Sequence, residues 1–178
     1  MECFCGWAGP NCLWHGRTAA GTGGGRQAIR QLKDAWHTFE STGANWSKTY
    51  FLATLPEAYA EEGDRENSLI SANEGLNFAL KNGEHFYDSE LHRLKGESIE
   101  TDIQTAGSEF ETAIGIARAQ KAKSWELRAT TSLARLLAKQ GKRDEARALL
   151  AEIYGWFSEG FDTHDLKAAK ARLEELSN

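Results

Sequence analysis

The stretch LARLLAKQGKRDEARALLAEI, from Leu133 to Ile153, decides the fold. It reads as a helix ending near Gly141, a tight turn, and a second helix starting around Asp144. Leu, Ala, Arg, Lys and Glu are strong helix formers, and a turn glycine supplies the positive φ that stops a helix abruptly. Small or apolar residues stand at Ala134, Ala146, Leu150 and Ile153, and the same pattern recurs upstream. Ala106, Phe110 and Ala113 repeat the places of Ala146, Leu150 and Ile153; Ser68, Ala72 and Gly75 do so again, and then Ala28, Leu32 and Ala35. The intervals are 40, 38 and 40 residues. The turn glycine recurs as Gly23, Gly63 and Gly141, and only the third unit lacks it, with Thr101 in its place.

Repetition at this period is the signature of stacked helical hairpins. Helices approach closely where side chains are small, and a larger residue one turn on fills the gap between layers. Gly96 is the small residue expected in the first helix of the third unit. Composition agrees. The 178 residues contain no valine, 7 Ile and 2 Pro, so a β-sandwich or parallel sheet lacks the branched residues it needs. The reading is an all-α chain of antiparallel hairpins stacked as a superhelix. Helices are expected at about 26–43, 46–62, 65–82, 85–101, 106–120, 123–140 and 143–158. A closing helix follows at 164–176, whose stripe Leu166, Ala169, Leu173 and Leu176 would cap the last core. Phe157 and Phe161 would staple it in place, with Asp162 or Thr163 as its N-cap. Residues 1–25 stand apart as a Gly/Cys-rich irregular segment or degenerate half-repeat, holding seven of the 17 Gly and all three Cys.

The array resembles the tetratricopeptide repeat (TPR), with units at about 26–43, 46–82, 85–120 and 123–158 and the capping helix at 164–176. A narrower resemblance lies in four strings: TGANWSKTYFLATLPEAYAEEG (42–63), YDSELHRLKGESIE (87–100), ARAQKAKSWELRATTSLARLLAKQGKRDEARALL (117–150) and YGWFSEGFDTHDLKAAKARLEEL (154–176). These look like the C-terminal TPR-like region of bacterial multidomain regulators. In those proteins an adenylate/guanylate cyclase or serine/threonine kinase domain is fused to a STAND-type ATPase and then to this helical arm. The resemblance covers about residues 26–178 and implies a sensor or regulatory arm of a bacterial signalling protein, without the catalytic residues of the other modules.

Charge adds the candidate site. The net charge is −5, but residues 118–147 hold nine basic and three acidic side chains, a local +6. Overall acidity argues against a nucleic-acid binder. If Ala134 takes the small-residue place of its helix, Arg128, Arg135 and Lys139, spaced by seven and four, share one face on the concave side. Arg93 and Lys95 on the preceding unit would extend that stripe. Guanidinium groups bind carboxylates bidentately, so the expected partner is a protein or peptide, acidic in character. Self-association as a homodimer through the exposed first-repeat edge, and a small-molecule sensor domain, are the alternatives.

Other patterns carry less. Cys3, Cys5, Cys12 and His15 are zinc-type ligands, but C-x-C cannot form the knuckle turn that C-x-x-C forms, so no metal is expected. The Gly21–Gly25 run lacks the G-K-[ST] ending of a phosphate loop, and no cofactor is expected. His85 and His92 read as surface histidines, and Glu57, Glu61, Glu62, Asp64 and Glu66 as a solvated acidic face. Trp36, Trp46, Trp125 and Trp156 read as wedges between repeats. With no acid–base or nucleophile constellation, the chain is read as no enzyme. No apolar run approaches the ~18 residues of a membrane span, and the start Met1-Glu2-Cys3-Phe4 has no basic leader, so the expectation is cytoplasmic.

Overall fold

In the computed structural model, residues 24–41 and 48–177 are described, and among them every regular element is helical. We number the helices α1 (Gly24–Glu40), α2 (Lys48–Glu61), α3 (Arg65–Asn82), α4 (Asp88–Ser98), α5 (Ile103–Ala119), α6 (Lys123–Lys139), α7 (Arg143–Tyr154) and α8 (His164–Ser177). Each packs on the next in the chain. In addition α2 packs on α4, α4 on α6 and α6 on α8, so these four form one inner layer and α3, α5 and α7 an outer one.

The repeat positions explain the layering. Ser68, Ala106 and Ala146 are each the fourth residue of their helix and each is fully buried. One turn on, Ala72, Phe110 and Leu150 are buried to the same degree. Serine is tolerated at this tight place because its hydroxyl finds a partner: Ser68 Oγ donates to the Pro56 carbonyl at 2.8 Å. In the first unit the pattern weakens, for Ala28 and Leu32 are half-buried and Ala35 is exposed. Among the described residues α1 packs chiefly on α2, whereas α3, α5 and α7 are each held between two inner helices. Ile29 carries the α1 contact instead, clustered with Leu55, Ala58 and Tyr59.

Turns follow local chemistry. Gly63 and Gly141 adopt φ of +78° and +81°, the left-handed region that glycine enters without steric cost. The third unit, with Thr101 where the glycine would be, turns through Ile99–Asp102 without a left-handed residue. Asp102 then caps α5, accepting from Thr105 N at 3.2 Å and from Thr105 Oγ1 at 2.6 Å. This cap moves the start of α5 to Ile103, ahead of the expected 106. The expected helix at 85–101 is also shorter: His85–Tyr87 form a single 3₁₀ turn, and α4 begins at Asp88. α7 ends at Tyr154 because the chain tightens there, Trp156 N and Phe157 N donating three residues back to Ile153 and Tyr154.

Gly96 answers the third unit's need for a small residue. A Cβ there would lie 2.6 Å from the Phe110 ring, so α4 and α5 meet at the closest approach their side chains allow. At the far end Leu166, Ala169 and Leu176 of α8 join the core cluster built around Phe110, Leu136 and Leu150, with Leu173 partly buried against it. Phe157 packs on that cluster, while Phe161 is 47% exposed and touches Tyr154 at 5.8 Å between ring centres. The Thr163 carbonyl accepts from Lys167 N at 3.1 Å, which places Thr163 at the start of α8.

Candidate functional site

The inner layer carries a ladder of charges across α2, α4 and α6. At its centre Arg93, only 6% exposed, grips Glu90 through Nε at 3.0 Å and Nη2 at 2.6 Å. Its Nη1 reaches Glu97 at 2.8 Å and its Nη2 lies 3.7 Å from Glu57. Arg128 Nη2 joins Glu57 at 2.6 Å and Glu90 at 2.9 Å. Arg135 Nη2 meets Glu97 at 2.8 Å and Glu100 at 3.4 Å, and Lys139 Nζ closes the ladder on Glu100 at 2.8 Å. Ser132 Oγ adds a bond to Glu97 at 2.7 Å.

The structure brings Arg93, Arg128, Arg135 and Lys139 together, but not as an open stripe of cations. Each is already paired with a glutamate of this chain. Lys95 is elsewhere: its Nζ lies 2.7 Å from Glu109 on α5, beside His92 Nδ1 at 2.6 Å from the same carboxylate. Two residues along a helix turn the side chain about 200°, so Lys95 faces into the α4–α5 hairpin while Arg93 faces the inner groove. Glu57, read from the sequence as part of a solvated acidic face, is instead a member of the ladder with its side chain 15% exposed. His92 is a hairpin residue rather than a surface one, its side chain 21% exposed.

Burial and charge set the ionisation. Burial alone would raise the Glu97 carboxyl, but the Arg93 and Arg135 guanidiniums and bonds from Ser132 and Arg135 hold it down at about 2, against an ordinary 4.5. Glu90 also lies below its ordinary value, since Arg128 and Arg93 outweigh its desolvation. Arg93 is raised well above its own, its desolvation overcome by Glu90, Glu97 and Glu57. A carboxylate depressed in the folded state stabilises above its unfolded pKa and loses that contribution as pH falls through the folded one. For Glu97 the window runs from 4.5 down to about 2. The expected result is that Glu97→Gln costs on the order of 3 kcal/mol near neutral pH and progressively less below that window's upper edge. Urea unfolding of both chains as a function of pH checks it; a constant gap contradicts it.

Beside the ladder lies a depression of about 180 Å³. Its walls come from all four inner helices: Glu57, Arg93 and Glu97, then Arg128, Thr131, Ser132 and Arg135, then His164, Asp165 and Ala168 of α8. Glu97, Ser132 and the α8 residues are not among the sequence candidates, and Glu57 stands there only as part of a solvated acidic face. The signal was present, however. Glu90 and Arg128, like Glu97 and Arg135, are separated by 38 residues, the same step as from Gly96 to Ala134, so equivalent places of successive inner helices bear opposite charges.

Of the tryptophans, Trp36 stacks on Phe51 at 5.0 Å. Trp125 meets Phe86 at 5.0 Å and Tyr87 at 5.7 Å, and Tyr87 reaches Tyr50, so this group does wedge successive inner helices. Trp156 is no wedge: it is 60% exposed, with Lys123 Nζ 5.7 Å from its ring centre. Trp46, and the cysteine–histidine set Cys3, Cys5, Cys12 and His15, lie outside the described residues. Among the described residues no group of His, Cys, Asp and Glu is arranged to hold a metal ion, and no helix is long and apolar enough to cross a membrane.

No family model matches this sequence, and no curated protein matches it. Among solved structures, the chain is similar to the nearly identical TPR-like repeats of a Podosopora anserina protein described as a kinesin light chain. The TM-score is 0.60 at 18% identity, over 86% of this chain and 78% of the other. At that identity the likeness speaks for architecture alone, and it agrees with the layering described above: this chain has the TPR-like fold, an array of antiparallel helical hairpins.

Proposed function

We infer that this chain is a non-catalytic protein–protein interaction scaffold that seats a segment of its partner in the groove of the inner layer. One observation carries the reading: a depression built from four successive inner helices, walled by side chains held rigid in a shared ionic network. Such a wall is preorganised, and binding to it loses less conformational entropy than binding to free side chains. The ladder also speaks against proton-transfer chemistry. A general acid or base works best with a pKa near the operating pH, and Glu97 is held at about 2. The resemblance to bacterial regulators supports a sensor or regulatory role for the scaffold. A self-association reading rests on α1, whose Ala35 is exposed and whose Ala28 and Leu32 are half-buried.

A photo-crosslinking residue at Thr131, on the groove wall, is compared with one at Glu111, exposed on the outer helix α5. Groove binding predicts capture of a partner from the native extract at Thr131 and not at Glu111. Equal capture at both places, or capture at Glu111 alone, contradicts it.

A further inference from the structure

We propose that the segment seated in this groove carries no net negative charge and is held through its main-chain amides and uncharged or basic side chains. The inference rests on the groove reading and names the chemistry of its partner. It reverses what the basic stripe suggests when read from the sequence alone.

The charge count of the groove decides it. Arg93, Arg128, Arg135 and Lys139 face Glu57, Glu90, Glu97 and Glu100, and each cation stands 2.6–2.9 Å from at least one of these carboxylates. Asp165, one third exposed and beside His164, adds a fifth negative charge from α8. An incoming carboxylate therefore meets a network with no positive surplus. To take a guanidinium bidentately it must displace a glutamate already in place. Those glutamates have side chains only 7–21% exposed, so the displaced one would be left in a poorly hydrated site without its partner. Attraction at long range is absent and exchange at short range is uphill.

What the groove still offers is neutral recognition. Asp165 supplies acceptor oxygens, its nearest ionic contact being His164 Nδ1 at 3.6 Å. Thr131 of α6 and Asp165 of α8 both border the depression, and the Asp165 oxygens accept from a main-chain N–H or a basic side chain. The depression of about 180 Å³ has room for a side chain between them. A basic residue would be tolerated beside Asp165; an acidic one would not.

The test uses the whole chain and a phage library of random dodecapeptides as probe. Two blocked chains serve as controls: Ala168→Trp, at an exposed position of α8, and Thr131→Trp, on α6. Peptides that bind the unblocked chain and lose at least about tenfold in affinity on a blocked one define the groove ligands. The expected result is groove ligands of zero or positive net charge whose affinity changes less than about threefold between low and high salt. Groove ligands rich in Asp or Glu, or dependent on a free C-terminal carboxylate, and weakening about tenfold or more in high salt, would overturn the charge assignment while leaving the groove standing. No enrichment over the blocked chains, or binding that survives both blocks, would overturn the groove reading and this proposal with it.

Discussion

Phe110→Ala is expected to lower the unfolding free energy by about 3–5 kcal/mol, since Phe110 is the largest fully buried side chain among the described residues. Phe110 is fully buried at the junction of the third and fourth units, in one cluster with Ala134, Leu136 and Leu150. The ring fills the space over the bare Gly96 backbone, and with no side chain at Gly96 to take its place its removal leaves a cavity there. The partner substitution makes the point specific. Gly96→Ala puts a methyl group 2.6 Å from the ring edge, an overpacking cost of about 1–3 kcal/mol that exceeds or cancels the ~1 kcal/mol alanine gains in a helix. In a Phe110→Leu background the same Gly96→Ala change is expected to be neutral or stabilising. Guanidinium unfolding of the four chains, treated as a double-mutant cycle, measures the coupling. An additive cycle would show that Gly96 and Phe110 do not form the tight contact described.

Arg93→Met is the second large effect, expected to cost about 3–5 kcal/mol at neutral pH. Methionine keeps the unbranched apolar stem of the side chain but not its charged head, so the larger part of the loss is electrical. Glu90 and Glu97 then keep Arg128 and Arg135 but lose the guanidinium that bridges them, and both carboxylates lie in poorly hydrated surroundings. Their repulsion is relieved by protonation. The cost of Arg93→Met is therefore expected to shrink as pH falls below the ordinary carboxylate value of 4.5. Adding Glu90→Gln should recover part of the loss at neutral pH, since it removes one of the stranded charges. Unfolding free energies of the single and double variants across pH distinguish this from a packing defect, which would not change with pH and would not be rescued.

These two residues also mark the boundary between local and tertiary information. The place of Phe110 follows from spacing: it stands four after Ala106, as Leu150 stands four after Ala146, and a 3.6-residue period puts both on the buried face. The shortness of α4 was not legible in the same way. Its expected first residues form the 3₁₀ turn His85–Tyr87, whose rings meet Tyr50 of α2 and Trp125 of α6, contacts that the local sequence does not contain. Likewise Trp125 and Trp156 look alike in sequence, yet one is packed against Phe86 and Tyr87 while the other is exposed. Trp125 lies in α6 beside the aromatic turn His85–Tyr87, whereas Trp156 follows the end of α7.

The amino-acid sequence by itself determined that this chain is helical, that its hairpins repeat at about forty residues, and which small side chains let them stack. Those properties are local or periodic, and helix propensity and side-chain volume act through them directly. Only the tertiary structure decided what the cationic residues do. Arg93 and Lys95 are two places apart in sequence, but one reaches across the inner layer to carboxylates on two helices and the other folds back onto Glu109. Charge acts between side chains over a few ångströms, in whatever direction the packed helices present them. A row of basic letters thus names the ions, and the neighbouring inner helix decides whether they remain available to a partner.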